Sequence, residues 1–237
     1  MMKHRVTVIL ERIQMGNTTE ISHDEKMALV WRLIEETDKN VHKNDEKMYT
    51  WCLNEQGEQK YSLLFSSIDT TILEQFIKRA EELKNQGLTV GSNIWKITDV
   101  IPLEDYPFLN PTMRLQSLSG AYVYQLVEEP HNDTGEIMQF KHSVHVGHNP
   151  TLAANIIKHR LVRRANTVYG TKYTDDDVTI RYMELIPGSE PVHYKRRTIG
   201  SQMLTFRIKA PKEVMETALY GGVGHLTGSG FGSVVIA

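Results

Sequence analysis

Cysteine is almost absent from this chain of 237 residues: Cys52 stands alone, which excludes an intrachain disulfide and a cysteine cage for zinc. Long apolar runs are missing too. No stretch suffices for a transmembrane helix, and the opening MMKHRVTVILERI is too short and too charged for a secretory h-region. A cytoplasmic protein without membrane contact is therefore expected. Strong overall charge is also lacking, the formal net charge being −2. Familiar nucleotide motifs fail on context. No lysine follows Lys212, so the glycines near the C-terminus cannot form a P-loop; they also follow a helix and feed a strand, the reverse of the dinucleotide fingerprint.

What the chain does have is a glycine-rich ending, Tyr220 to Ala237, YGGVGHLTGSGFGSVVIA. Pro211 opens an amphipathic segment in which Val214, Met215, Ala218 and Leu219 share a face, and Gly221 sits where a helix C-terminus favours glycine. Gly222, Gly224, Gly228, Gly230 and Gly232 follow, and then the β-branched run Val234, Val235, Ile236. Two readings stand side by side. Missing side chains let backbone N–H groups approach a phosphate chain, or they simply supply positive φ in a tight turn. This last helix, GGVGHLTGSGFG and the apolar strand resemble the C-terminal signature of the CRISPR repeat-processing endoribonucleases, which cut precursor CRISPR RNA. The likeness is greatest to the subtype I-E branch, whose nuclease stays in the Cascade surveillance complex.

Earlier in the chain, Arg5 to Ile13 alternates as a strand. Ser22 and Glu25 make a capping-box pattern before the helical stripe Met27, Val30, Trp31, Ile34. Tyr49–Leu53 and Tyr61–Ser66 read as a hairpin, Thr71–Gln86 as a helix stopped by Gly87, and Trp95–Ile101 as a strand. That order is βαββαβ, the ferredoxin-like unit. Pro102, Pro107 and Pro111 place a boundary, giving units at 1–110 and 116–237. In the second, Ala121–Val127 and Met138–Val146 read as strands, Asn149 and Pro150 cap a helix to about Asn166, and Val178–Ile186 and Gln202–Lys209 flank a hairpin containing HYKRR. An α+β protein of two tandem ferredoxin-like (RRM-like) domains follows, and the resemblance implies the same. No residue-level repeat accompanies the duplication.

The resemblance implies a cofactor-free, metal-independent reaction. The 2′-hydroxyl attacks the adjacent phosphate, leaving a 2′,3′-cyclic phosphate and a 5′-hydroxyl, so a proton acceptor, a proton donor and a cation are needed. In the subtype I-E branch a tyrosine and a histidine one helical turn apart commonly open the first helix. That pattern falls on His23 and Lys26, with the spacing kept and the residue types changed; three apart on a helix, the two can address one phosphate. Other branches place a catalytic histidine in the loop after the first helix with a lysine beyond it, and VHKNDEKMY offers His42, Lys43 and Lys47. The two placements compete for one role. His225 is a third candidate, since relatives often carry Arg or Lys within the glycine loop.

Charge is distributed unevenly. From Lys141 to Lys209 there are twelve Lys or Arg against five Asp or Glu, and before residue 141 fourteen against twenty-two. Lys158, Arg160, Arg163 and Arg164 lie on the helix after Pro150, and His193, Lys195 and Arg197 alternate as they would on one strand face. With Gly222, Gly224, His225, Gly228 and Gly230 they form the expected RNA-binding set, contacting the phosphates of a repeat stem-loop. His142, His145 and His148 spell HxxHxxH. A strand would point the first two to opposite faces, and no cysteine or nearby carboxylate completes a zinc set, so no metal is expected. The partners implied are repeat RNA and further subunits of a Cascade-like complex. A noncatalytic RNA-binding subunit on the same fold is the competing reading.

Overall fold

A computed structural model describes residues 4–14, 20–34, 47–106, 110–131, 136–189, 191–195 and 197–237. The N-terminal half runs β1 (Arg5–Gln14), α1 (His23–Ile34), β2 (Tyr49–Gly57), β3 (Lys60–Ser67), α2 (Thr70–Glu82), β4 (Gly87–Val90) and β5 (Asn93–Leu103). Its strands form one antiparallel sheet in the order β2-β3-β1-β5-β4. Alternation in β1 buries Val6, Val8 and Leu10 completely and leaves Thr7 and Ile9 half-buried. The expected capping box is present: Ser22 Oγ accepts the Glu25 N–H at 3.2 Å, and the Glu25 carboxylate accepts the Ser22 N–H at 3.1 Å. Met27, Val30 and Ile34 are buried as the stripe requires, whereas Trp31 is only half-buried. Helix α2 ends at Glu82, short of the expected Gln86, because Lys84 bridges to Ile97 and Asn85 takes a left-handed φ of 65°. Gly87 accordingly opens a strand.

The C-terminal half runs β6 (Thr112–Ser117), β7 (Tyr124–Pro130), β8 (Ile137–Ser143), α3 (Pro150–Tyr169), β9 (Thr179–Leu185), β10 (Pro191–Tyr194), β11 (Arg197–Gly200), β12 (Leu204–Lys209), α4 (Lys212–Gly221) and β13 (Val234–Ile236). Four of these strands form a sheet in the order β13-β6-β12-β9, while β7–β8 and β10–β11 stand apart as two-stranded hairpins. With these two hairpins and the short edge strand β4 set aside, each half follows βαββαβ with its last strand beside its first. One expectation needs correction. The strand that opens this half is β6, not Ala121–Val127, and a start at residue 116 would cut it in two. Its burial alternates in register, with Met113, Leu115 and Ser117 inward, a short signal masked by the surrounding prolines.

Two apolar cores result, and each borrows from the other half. Tyr194 and Ile199 of the β10–β11 hairpin and Phe231 near the C-terminus pack into the N-terminal core with Val30, Trp51 and Phe65. In return, Ile68 and Met48 join the core that α3 and α4 build on the second sheet. Among the described residues no helix is long and apolar enough to cross a membrane.

A buried polar chain ties α1 to the first sheet. Glu25 Oε1 accepts from Asn93 Nδ2 at 2.9 Å, and Asn93 Oδ1 accepts from Nε of Arg12, itself 1% exposed, at 2.9 Å. Leucine at Asn93 removes an acceptor from a buried cation, so Asn93→Leu is expected to lower stability by about 2–3 kcal/mol in urea unfolding.

Candidate functional site

The functional geometry begins with the last helix. Helix α4 ends at Gly221, and the chain then makes a loop whose carbonyls are bound by donors from three directions. From α3, Arg164 donates through Nη2 to Gly221 O at 2.6 Å and through Nη1 to Gly222 O at 2.9 Å, while Arg160 Nε donates to Gly224 O at 3.1 Å. From β2, Trp51 Nε1 donates to Gly228 O at 3.2 Å. From the first residue of α1, His23 Nε2 donates to Ser229 O at 2.8 Å. A single 3₁₀ turn, Thr227–Ser229, forms the tip.

Close packing explains most of the glycines. A Cβ on Gly222 would meet Gly232 O at 2.9 Å, one on Gly224 would meet Tyr122 O at 2.6 Å, and one on Gly230 would strike the Trp51 ring at 2.6 Å; all three also have positive φ. Gly228 lies against the aliphatic part of Lys47. Turn geometry and close approach thus coincide at the same positions.

A cleft of about 1340 Å³ opens beside this loop. Trp31, Lys47 and Tyr49 contribute from the N-terminal half, Asn155, His159, Arg160 and Arg163 from α3, Tyr124 and Lys141 from the β7–β8 hairpin, and Tyr194 and Lys195 from the β10–β11 hairpin. Leu226 to Ser229 form the part of the loop that faces it. Helix α3 is set for this task by Asn149, whose side chain accepts the Leu152 N–H at 3.0 Å, by Pro150 in its first turn, and by the left-handed Gly170 that ends it. Ala153, Ile157, Leu161 and Ala165 bury one face, so Arg160 and Arg163 turn toward the cleft. Asp175 is the one carboxylate among the described lining residues, and it faces His159 at 3.3 Å.

The sequence-derived candidates divide sharply. Arg160, Arg163, Lys195, His225 and Gly228 line the cleft, as does Lys47. Arg164 reaches the lining but is 1% exposed, its guanidinium bound to Gly221 O, Gly222 O and, at 2.8 Å, Lys47 O; it is an internal clamp rather than an exposed phosphate contact. Lys158 lies two residues from Arg160, on the far side of the helix. His193, Lys195 and Arg197 do not share a strand face, because the hairpin turns at Lys195, which has a φ of 44°, and Tyr194 pairs with Arg197. Lys195 Nζ lies over the Trp31 and Tyr194 rings at 5.5 and 5.3 Å. Gly222, Gly224 and Gly230 pack inward. His42 and Lys43 lie outside the described residues.

His23 sits in an aromatic joint rather than on the cleft wall. Its ring centroid lies 5.8 Å from Trp51, 5.7 Å from Tyr194 and 4.9 Å from Phe231. Burial lowers its pKa, with Lys26 adding to the effect and the Ser229 carbonyl opposing it. His225 is buried, stacked on Tyr124 at 3.7 Å, with Nδ1 facing the Tyr124 N–H at 3.4 Å. Burial first, then Arg160, push its pKa down to about 3. Both imidazoles are thus shifted toward the neutral form. His142 has a carboxylate beside it after all, Glu129 at 3.4 Å across the hairpin, whereas His145 and His148 face each other at 4.9 Å. Tyr124 and Lys141 escaped the sequence reading because only the β7–β8 hairpin brings them to His225.

The depressed His225 pKa makes a signed prediction. As pH falls from 6.5 toward 3, the unfolded chain takes up a proton that the folded chain refuses, so stability falls by up to about 1.4 kcal/mol per pH unit. His225→Gln should flatten that part of the pH–stability curve, measured by urea unfolding between pH 7 and 4.

The family profile described as "CRISPR associated protein Cas6, C-terminal" matches residues 104–236. A solved structure described as "Characterization of a Cas6-related gene from Pyrococcus furiosus" is similar with a TM-score of 0.79 and 18% identity, covering 99% of this chain and 98% of that one. Another, "An RAMP protein binding different RNA substrates", gives 0.75 and 16%, covering 99% of each chain. A third, "CRISPR associated protein Cas6", gives 0.72 and 17%, again covering 99% of each. At these identities the structural likeness concerns the fold. No curated protein sequence matches. With more than half of its length matched by the family profile, the chain belongs to the CRISPR-associated Cas6 family.

Proposed function

We propose that this protein is a metal-independent endoribonuclease that binds a CRISPR repeat stem-loop and cleaves precursor CRISPR RNA by attack of the 2′-hydroxyl. The observation that carries the proposal is the cleft, in which Lys47, Lys141, Arg160, Arg163 and Lys195 surround the glycine loop between two βαββαβ units. We take these units as ferredoxin-like domains, residues 1–110 and, moved to the start of β6, 112–237. The loop carbonyls are bound from behind, and the backbone N–H groups of Leu226, Thr227 and Gly228 donate to no acceptor among the described residues. Leu226 is left-handed at φ 57° and precedes the 3₁₀ turn, an alternation that makes a small nest for an anionic oxygen. Cations then hold the phosphates, and the nest and Lys47 stabilise charge at the reacting one.

Proton transfer is assigned to His42. His23 has its Nε2 engaged by Ser229 O and His225 is held neutral, whereas Lys47, five residues after His42, stands on the cleft wall. His23 becomes a positioning residue for the loop, and Lys26 acts on it through charge. Retention of the product in a Cascade-like complex, and the subtype I-E placement, rest on the C-terminal loop alone. A second reading, a noncatalytic RNA-binding subunit, is favoured by the engagement of both described imidazoles in internal contacts, His23 with Ser229 O and His225 with Tyr124.

The two readings separate in one experiment. Purified protein in EDTA is given the repeat RNA of its own locus and a copy with a 2′-deoxy nucleotide at the cut. One cut in the first RNA and none in the second supports the nuclease, and His42→Ala should then slow cleavage by roughly 100 to 10,000-fold with RNA affinity nearly unchanged. Tight binding without cleavage overturns the enzyme in favour of the binding subunit.

A further inference from the structure

We infer that the uncovered face of the β13-β6-β12-β9 sheet is a second RNA surface, which holds single-stranded RNA running off the stem-loop in the cleft; the inference rests on the cleft being an RNA site. Helices α3 and α4 cover the other face of this sheet, against Met113, Leu115, Phe206 and Ile208. On the uncovered face the register sets three arginines side by side across three strands. Arg207 of β12 pairs directly with Arg114 of β6 on one side and with Arg181 of β9 on the other. Lys209, two residues along β12, faces the same way. All four are exposed, and none lines the cleft.

Like charges directly opposed across a ladder repel, so a sheet gains nothing by this arrangement. Acidic neighbours do not resolve it. The nearest acidic side chain in register, Glu184, lies opposite Thr205, and among the described residues it forms no ion pair with the arginines. Arg114 Nε donates to Thr205 Oγ1 at 3.1 Å. The row is an anion-binding strip waiting for phosphate.

A second feature selects the kind of anion. Between Arg181 and Glu184 the register shifts, so that Tyr182 and Met183 together oppose the single Phe206. This bulge holds Tyr182 in a left-handed conformation, φ 53°, which a bulky side chain rarely adopts, and presents its ring 67% exposed. The Arg207 guanidinium lies 5.5 Å from that ring centroid. Cations beside an exposed ring on a flat sheet suit a single strand, whose unpaired bases have free faces to stack; a duplex hides them. An acidic peptide would use the cations but leave the ring unexplained. The glycine loop is joined to this sheet, since β13 starts two residues after Gly232 and Ser233 O accepts the Leu118 N–H at 2.7 Å where β6 ends.

The test measures dissociation constants of the full chain for the stem-loop alone and for the stem-loop with single-stranded extensions, over a range of KCl concentrations. The wild type should bind an extended RNA about 10-fold more tightly or better. The triple variant Arg114→Gln, Arg181→Gln, Arg207→Gln should lose that margin and keep its stem-loop affinity, with a salt slope on extended RNA smaller by about 2. Its melting temperature should equal or exceed that of the wild type, because repulsion has been removed. Tyr182→Asn, which tolerates the left-handed backbone, should lose part of the margin. An undiminished margin in the triple variant, or equal losses for both RNAs, overturns the inference, the first outcome leaving the strip to an acidic protein partner. A wild type that binds neither RNA removes the cleft reading and this one with it.

Discussion

One buried guanidinium joins the three segments that make the cleft. Arg164 reaches from α3 to the end of α4, to the first residue of the glycine loop and to the chain just before β2, where Lys47 supplies a carbonyl. A charge so deeply buried is tolerable only when carbonyl dipoles replace lost water, and three of them do. Gly221 is part of the same constraint. A Cβ there would collide with the guanidinium and with Ile68. Position, sequence and packing therefore select one another: the arginine requires the glycine, and the loop conformation requires the arginine.

Much of the frame was readable because local chemistry and tertiary structure agree. Ser22 and Glu25 start α1, Asn149 and Pro150 start α3, and β1 alternates as its burial demands. Disagreement arose where a tertiary partner decides. Arg163 and Arg164 look alike in a basic run, yet one helical step, 100° of rotation, separates an exposed cation from the clamp. The HYKRR segment has no glycine to announce its turn, and Lys195 adopts the left-handed conformation nonetheless. His225 reads as a loop histidine. Its lowered pKa comes first from burial, to which the stacked ring of Tyr124, 101 residues earlier, contributes, and then from Arg160, about 65 residues earlier.

Electrostatics in the cleft work against imidazolium. At His225 burial first, and then the cations led by Arg160, depress the imidazole. Phosphates entering the cleft would neutralise the cations and so relieve the second cause of the His225 shift, leaving the larger one, burial, in place.

The exchange of core residues between the halves has a consequence for synthesis of the chain. Trp51 and Val30 are completed by Tyr194, Ile199 and Phe231, contacts that span most of the sequence. While the N-terminal sheet is being made, these partners do not yet exist, so an apolar surface around Trp51 stays uncovered until residue 231 has left the ribosome. The glycine loop that shapes the cleft is thus also the final piece of the first core, and a chain that lacks it leaves both incomplete.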